Sequence, residues 1–258
     1  NGSATGGPVT FGGTVESADS NRALTISSGE GKVTFTGIIG GTDGDHLGGL
    51  VINSSEGTGV IEIAQIGDAT AAGGVIGTTT IGNENTSQID FDGTIYKIDG
   101  ATTITAASGT SDGSIDLSGG AATTFTTFGD AITFATGVID IDNTSDLTIN
   151  SAGGAISVQG IRGTSTESVT MSANVAGGTD TETINIGTDG IGSADQIGAI
   201  SLTATDRITL RGDIVTSNEA NDTDVTFTGP VRIEGTVTID TDAAAKDGAI
   251  EFTSTLDS

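Results

Sequence analysis

Triplets of the form apolar-x-apolar recur from end to end of this chain, and a sequence built that way can dry only one narrow face of each strand. Val9-Thr10-Phe11, Leu24-Thr25-Ile26, Val33-Thr34-Phe35 and Leu50-Val51-Ile52 open the series. Ile89-Asp90-Phe91, Ile115-Asp116-Leu117, Ile132-Thr133-Phe134, Ile139-Asp140-Ile141, Leu147-Thr148-Ile149 and Ile156-Ser157-Val158 carry it through the middle. Val169-Thr170-Met171, Ile184-Asn185-Ile186, Ile200-Ser201-Leu202, Ile208-Thr209-Leu210, Val225-Thr226-Phe227, Val231-Arg232-Ile233, Val237-Thr238-Ile239 and Ile250-Glu251-Phe252 complete it. Side chains two apart share a side of a strand, so each triplet is a short strand with its centre residue turned outward. No stretch has the 3.6-residue period of an amphipathic helix.

Between the triplets lie turn clusters such as Gly40-Gly41, Gly119-Gly120, Gly153-Gly154 and Gly177-Gly178. The chain holds 42 Gly but only 2 Pro, a balance that supplies tight corners without deleting ladder donors. A sandwich and a solenoid both use short strands and regular turns. The solenoid is favoured because the strands are very short, the series outlasts a sandwich of seven to nine strands, and threonine recurs at the outward centres, where stacked coils align it in ladders. The fold expected is all-β, a parallel β-solenoid forming a single domain over 1–258. With roughly 20 to 30 residues per coil there are on the order of ten coils, a rod of about 50 Å. Gly67 to Glu84 lacks the clear pattern and reads as an excursion from the regular coils.

Hydrophobic residues make up 34% of the chain and aromatics 3%, enough for a thin stack of sheets but not for a broad core. The net charge of −26 repels phosphate and anionic lipid, which excludes nucleic-acid binding. With no Cys there is neither a disulfide nor a thiolate site, and stability must come from repetitive packing. Nothing reaches the length of a membrane span, and Asn1 to Gly7 have neither a basic nor an apolar leader segment, so the chain reads as mature or excised material.

The segments GKVTFTGIIGG at 31–41, LGGLVI at 47–52 and DVTFTGPVRIEGTVTID at 224–240 resemble the β-strand repeats of giant bacterial surface proteins, of the filamentous haemagglutinin type of adhesin. The resemblance covers nearly the whole chain. It implies a right-handed β-helix, secretion to the cell surface or beyond, and a role in attachment or filament building.

Catalytic candidates are few. His46 has no Ser nucleophile near it in sequence and reads as a turn histidine. Arg207, Arg211 and Arg232, with Asp206 and Asp213, are the one basic group a polysaccharide-active solenoid could use, and the alternative is a face of compensating charges. Calcium is the more reasonable ligand, since hard cations want several oxygens and the acids sit in glycine turns. GGTDGDHLGG at 40–49 resembles the repeat of calcium-binding β-rolls, with Asp43 and Asp45 as the ligands, although it occurs once where that site needs consecutive copies. Asp140, Asp142 and Asp146, and Asp240 and Asp242, place acids at near-alternate positions whose repulsion a divalent ion would relieve; otherwise they form a solvated outer face. Asn1, Asn53, Asn85, Asn143 and Asn221 each begin Asn-x-Ser/Thr, matches that arise by chance in a chain this rich in Asn and Thr.

The function expected is that of a non-catalytic structural module in an extracellular adhesin or filament, requiring no cofactor. Its partners would be flanking repeats or further copies of itself, stacked head to tail, with a cell-surface glycan as the adhesive target. A surface-layer lattice protein and a polysaccharide-active enzyme are the alternatives. The stretch DGAIEFTSTLDS at 247–258 aligns with GGPVTFGGTVES at 6–17, setting Phe252 against Phe11 and pointing to end-to-end contact.

Overall fold

A strand of three to five residues cannot bury its apolar pair alone, so successive coils must lie directly on one another. The computed structural model describes residues 6–18, 22–41, 45–53, 57–69, 74–108, 114–120, 122–141, 145–164, 167–174, 182–193, 195, 197–216, 224–241 and 248–257. Among these are 25 strands and no helix, and every strand pairing is parallel. The chain is a parallel β-solenoid.

Three faces run the length of the rod. On the first, the inward column is Val9, Val33, Ile61, Ile89, Ile115, Ile139, Ile161, Ile191, Ile214 and Ile239, each paired with the next. The second stacks Val15, Ile39, Ile66, Tyr96, Phe125, Ile149, Met171, Leu202, Phe227 and Phe252. The third stacks Leu24, Leu50, Thr79, Thr102, Ile132, Ile156, Ile184, Ile208, Val231 and Leu256. Ten rungs are made from 25 strands because Val33–Ile39, Ile61–Ile66, Ile156–Arg162 and Thr183–Ile191 each turn a corner and serve two faces, while Val15 completes the first rung as an isolated bridge. Val9 to Ile239 is 230 residues in nine steps, about 26 residues per turn. At roughly 4.8 Å per step the rod is about 45 Å long.

The first-face column is entirely β-branched, the side-chain type that suits a pleated, tightly paired surface. Its members from Val33 to Ile214 are at most 1% exposed, and burying each such side chain contributes roughly 1.5–3 kcal/mol. Aromatics thicken the middle: Phe125 stacks on Tyr96 with ring centroids 4.8 Å apart, and Phe91 and Phe134 meet Phe125 edge-on. The buried Tyr96 hydroxyl donates to the Ile63 carbonyl at 3.0 Å and accepts the Gly93 N–H at 2.8 Å. Gly93 is required there, because a Cβ would lie 1.7 Å from the Ala64 carbonyl oxygen.

One corner is held by a buried polar column. The Asn53 amide donates to Ser28 Oγ at 2.9 Å, its carbonyl oxygen accepts the Ser28 N–H at 2.8 Å, and the Asn83 amide donates to the Asn53 backbone carbonyl at 2.6 Å. Asn53 takes φ +47°, a conformation that Asn tolerates better than most residues. Its side chain is thus a structural one, at 1% exposure, and no glycan acceptor in the folded chain.

Two sequence expectations change. Residues Thr79–Gly82 are not an excursion: they form a regular strand, with Leu50 paired to Thr79 and Ile81 to Ile104. Threonine replaces the aliphatic residue at Thr79 and Thr102, which hides the triplet, yet both stay buried and Thr102 Oγ1 donates to the Gly100 carbonyl at 3.1 Å. Phe11 and Phe252 belong to different faces, since Phe11 stacks under Phe35 on the first and Phe252 on Phe227 on the second. A triplet recurring three times per turn lets an alignment slip by one face.

Ile208→Asp puts a charge into a fully dry column between Ile184 and Val231 and is expected to remove more than about 4 kcal/mol, read as loss of the strand signal in circular dichroism. Tyr96→Phe orphans the Gly93 N–H and should cost about 1–3 kcal/mol in urea unfolding with the fold intact.

Candidate functional site

In-register stacking carries the outward residues into columns as strictly as the inward ones. On the first face the outward column runs Thr10, Thr34, Glu62, Asp90, Asp116, Asp140, Arg162. Four consecutive carboxylates therefore stand about 4.8 Å apart in strand spacing, a ladder of like charges that each destabilise their neighbours.

Both ends of the ladder meet cations. Lys32 pairs with Glu62, whose other oxygen accepts Thr34 Oγ1 at 3.2 Å. At the opposite end Arg162 clasps one Asp140 oxygen through Nη2 at 2.7 Å and Nε at 3.0 Å, and the pair is largely buried, with side chains 9% and 14% exposed. Between these caps, Asp90 Oδ1 is buried with no hydrogen-bond partner. Burial, then the carboxylates of Asp116, Asp92 and Glu62, raise the Asp90 carboxyl from its ordinary 3.8 to about 6, with Lys32 pulling the other way.

The sequence flagged Asp140 but sought its neighbours along the strand, at Asp142 and Asp146. Asp142 lies outside the described residues, and Asp146 Oδ1 accepts the Ser168 N–H and Oγ, both at 2.8 Å. The partners that matter are one turn away. Glu62, Asp90 and Asp116 each sit at the centre of a triplet 24 to 28 residues before the next, a periodicity visible in the sequence once the turn length is known.

Of the calcium candidates, Asp43 lies outside the described residues, as does Asp242. Asp45 is half-buried after the turn at Gly40, which takes φ +61°, and its backbone carbonyl accepts the Ser17 N–H at 3.1 Å from the preceding coil. Asp240 is placed on the first face beside Val215. Among the described residues no group of three or more His, Cys, Asp or Glu side chains is arranged to hold a metal ion.

The basic group is dispersed into pairs. Arg211 and Arg232 both bind Glu234, at 2.7 and 3.2 Å, Asp213 accepts the Thr238 N–H at 2.7 Å, and Asp206 accepts the Glu182 N–H at 3.2 Å, while Arg207 is exposed. His46 is half-buried, with a buried Nδ1 that has no hydrogen-bond partner.

The raised Asp90 carboxyl fixes a sign. Between about pH 4 and pH 6 the folded chain keeps a proton that the unfolded chain has released, so this group's contribution to stability falls as pH rises through that window. The thermal midpoint should therefore be higher at pH 5 than at pH 7.5, and Asp90→Asn should raise it at pH 7.5 and flatten the difference. Arg162→Met removes the guanidinium from a largely buried Asp140 and is expected to cost about 3 kcal/mol or more by urea unfolding.

No protein-family model, curated protein or solved structure matches the chain, so the fold and its faces carry the functional argument.

Proposed function

We propose that this chain is a rigid structural module of an extracellular bacterial surface adhesin or filament, without catalytic function, whose coils stack end to end on further coils. The observation that supports this reading is the state of the outermost rungs. Interior members of the three columns are dry, but Ile250 is 42% and Leu256 52% exposed on the last rung. Phe252 there and Val9, Phe11 and Val15 on the first rung are only partly covered. The first and last described rungs thus leave apolar side chains and strand edges uncovered, where a further coil, of this chain or of another, would pair.

Aromatic stacking supports the same direction of growth. Phe11 lies flat on Phe35 with centroids 4.6 Å apart, and Phe227 on Phe252 at 4.9 Å. A groove of about 450 Å³ opens at the first rung among Val15, Ser17, Leu24 and Leu47. The partner rung comes either from adjoining repeats of a longer chain or from another copy, a contact that does not close on itself and therefore propagates. Ion pairing of Arg211 and Arg232 to Glu234 supports a non-catalytic surface over a glycan-cleaving one.

A net charge of −26 opposes contact between copies, so association should strengthen with salt or calcium that screens it. Negative-stain micrographs and sedimentation in high salt are expected to show rods in multiples of roughly 45 Å. Strict monomers at high concentration, with and without calcium, would restrict stacking to adjoining repeats of one chain; flat lattices would favour a surface-layer role instead.

A further inference from the structure

The second face differs chemically from the other two. Over the rungs from Phe125 to Phe227 its strands expose two residues each, flanking the inward one, and their pairing runs without a bulge. The first outward row is Thr124, Thr148, Thr170, Ser201 and Thr226. The second is Thr126, Asn150, Ser172, Thr203 and Thr228. Nine of these ten side chains are hydroxyls and none is charged, in a protein with 34 acidic residues.

All ten are half-buried or exposed. Asn150 Oδ1 caps the Ala152 N–H at 3.0 Å. Among the described residues the nine hydroxyls take no part in side-chain hydrogen bonds such as those of Thr127 and Ser151 at the corners, and each is at least partly open to solvent.

Neither other face matches this. The first carries the carboxylate ladder. On the third face one row runs Thr80, Thr103, Thr133, Ser157, Asn185 and a buried Thr209 before reaching Arg232, and the register shifts between Phe134 and Thr136 and, at the corner toward the first face, between Val158 and Gly160.

We infer that the second face binds the prism face of hexagonal ice. The hydroxyls repeat by roughly 4.8 Å from rung to rung and about 6.6 Å along each strand, a two-dimensional grid set by the backbone. A ligand matched to such a grid must itself be periodic in both directions. Ice presents rows of water oxygens with two perpendicular repeats close to these, and each can donate to or accept from a hydroxyl. Charged groups would hold hydration shells that a growing lattice excludes, and the array has none. Threonine also carries a methyl beside its hydroxyl, a small apolar group that would order the first water layer next to the anchoring oxygens. A soluble sugar chain is the poorer match, because Tyr96, Phe125 and Phe227 are buried and one exposed ring, Phe128 just beyond the Thr123–Thr127 strand, gives no row of stacking platforms.

The test is thermal hysteresis and inhibition of ice recrystallisation by the full chain, compared with an equal concentration of an inert protein. The expected result is faceted crystals and a measurable freezing gap. The double variant Thr170→Lys with Thr203→Lys should lose both, while Thr103→Lys on the third face keeps them, all three proteins melting alike by circular dichroism. The inference is overturned by an inactive native chain, by equal loss in the third-face variant, or by a chain that shows no ice activity but co-sediments with cellulose or chitin through Thr170.

Discussion

Parallel pairing of each coil with the one beneath it, in register and at a turn length near 26 residues, is the constraint on which the rest of the structure depends. It supplies the backbone hydrogen bonds of both edges of every interior strand. It also forces residues of adjacent turns into direct contact, so the chemistry of one position is answered by the positions a turn before and after it. Inside, the answer is β-branched on aliphatic or ring on ring, and a column such as Val33 to Ile214 forms from a modest hydrophobic fraction.

The same rule exacts a cost outside. Glu62, Asp90, Asp116 and Asp140 cannot turn away from one another, because their Cα atoms are paired. Lys32 and Arg162 neutralise the two ends, and the strain collects at Asp90, whose carboxyl is held near 6. Charge repulsion that a globular surface would relax by rotamer choice is here fixed by register.

Most of the fold was legible in the sequence because the triplet is a local signal: eighteen named triplets led to an all-β solenoid of about ten coils, and strands occupy nearly every one. What stayed hidden is non-local or breaks the local code. Thr79 and Thr102 stand in aliphatic positions, Thr102 with its hydroxyl on the Gly100 carbonyl and Thr79 with a buried hydroxyl that has no hydrogen-bond partner, so their strands look polar. The Ser28, Asn53 and Asn83 column resembles ordinary turn residues until the coils are superposed. The carboxylate ladder needs the turn length, which varies from 22 to 30 residues along the first face and so conceals a fixed period. The calcium reading of Asp43 and Asp45 rests on local composition, and Asp43 lies outside the described residues.

Because the core is satisfied by inward residues alone, the outward positions of a solenoid are free to vary face by face. Acidity is therefore no inevitable property of this surface. Acids fill the triplet centres of the first face from Glu62 to Asp140, while on the second face not one acid appears between Thr124 and Thr228 in either outward row. Strand propensity favours threonine at such positions but does not exclude aspartate, as the first face demonstrates with four carboxylates in a row. Nor does packing require it, since the same inward pattern supports Arg162 and Arg232 on the other two faces and, one rung beyond Thr226, Glu251 on this one. Over the five rungs between Lys97 and Glu251 the second face nevertheless keeps charge out of both outward rows and its register unbroken, and that regular grid is what the proposed ice contact would use.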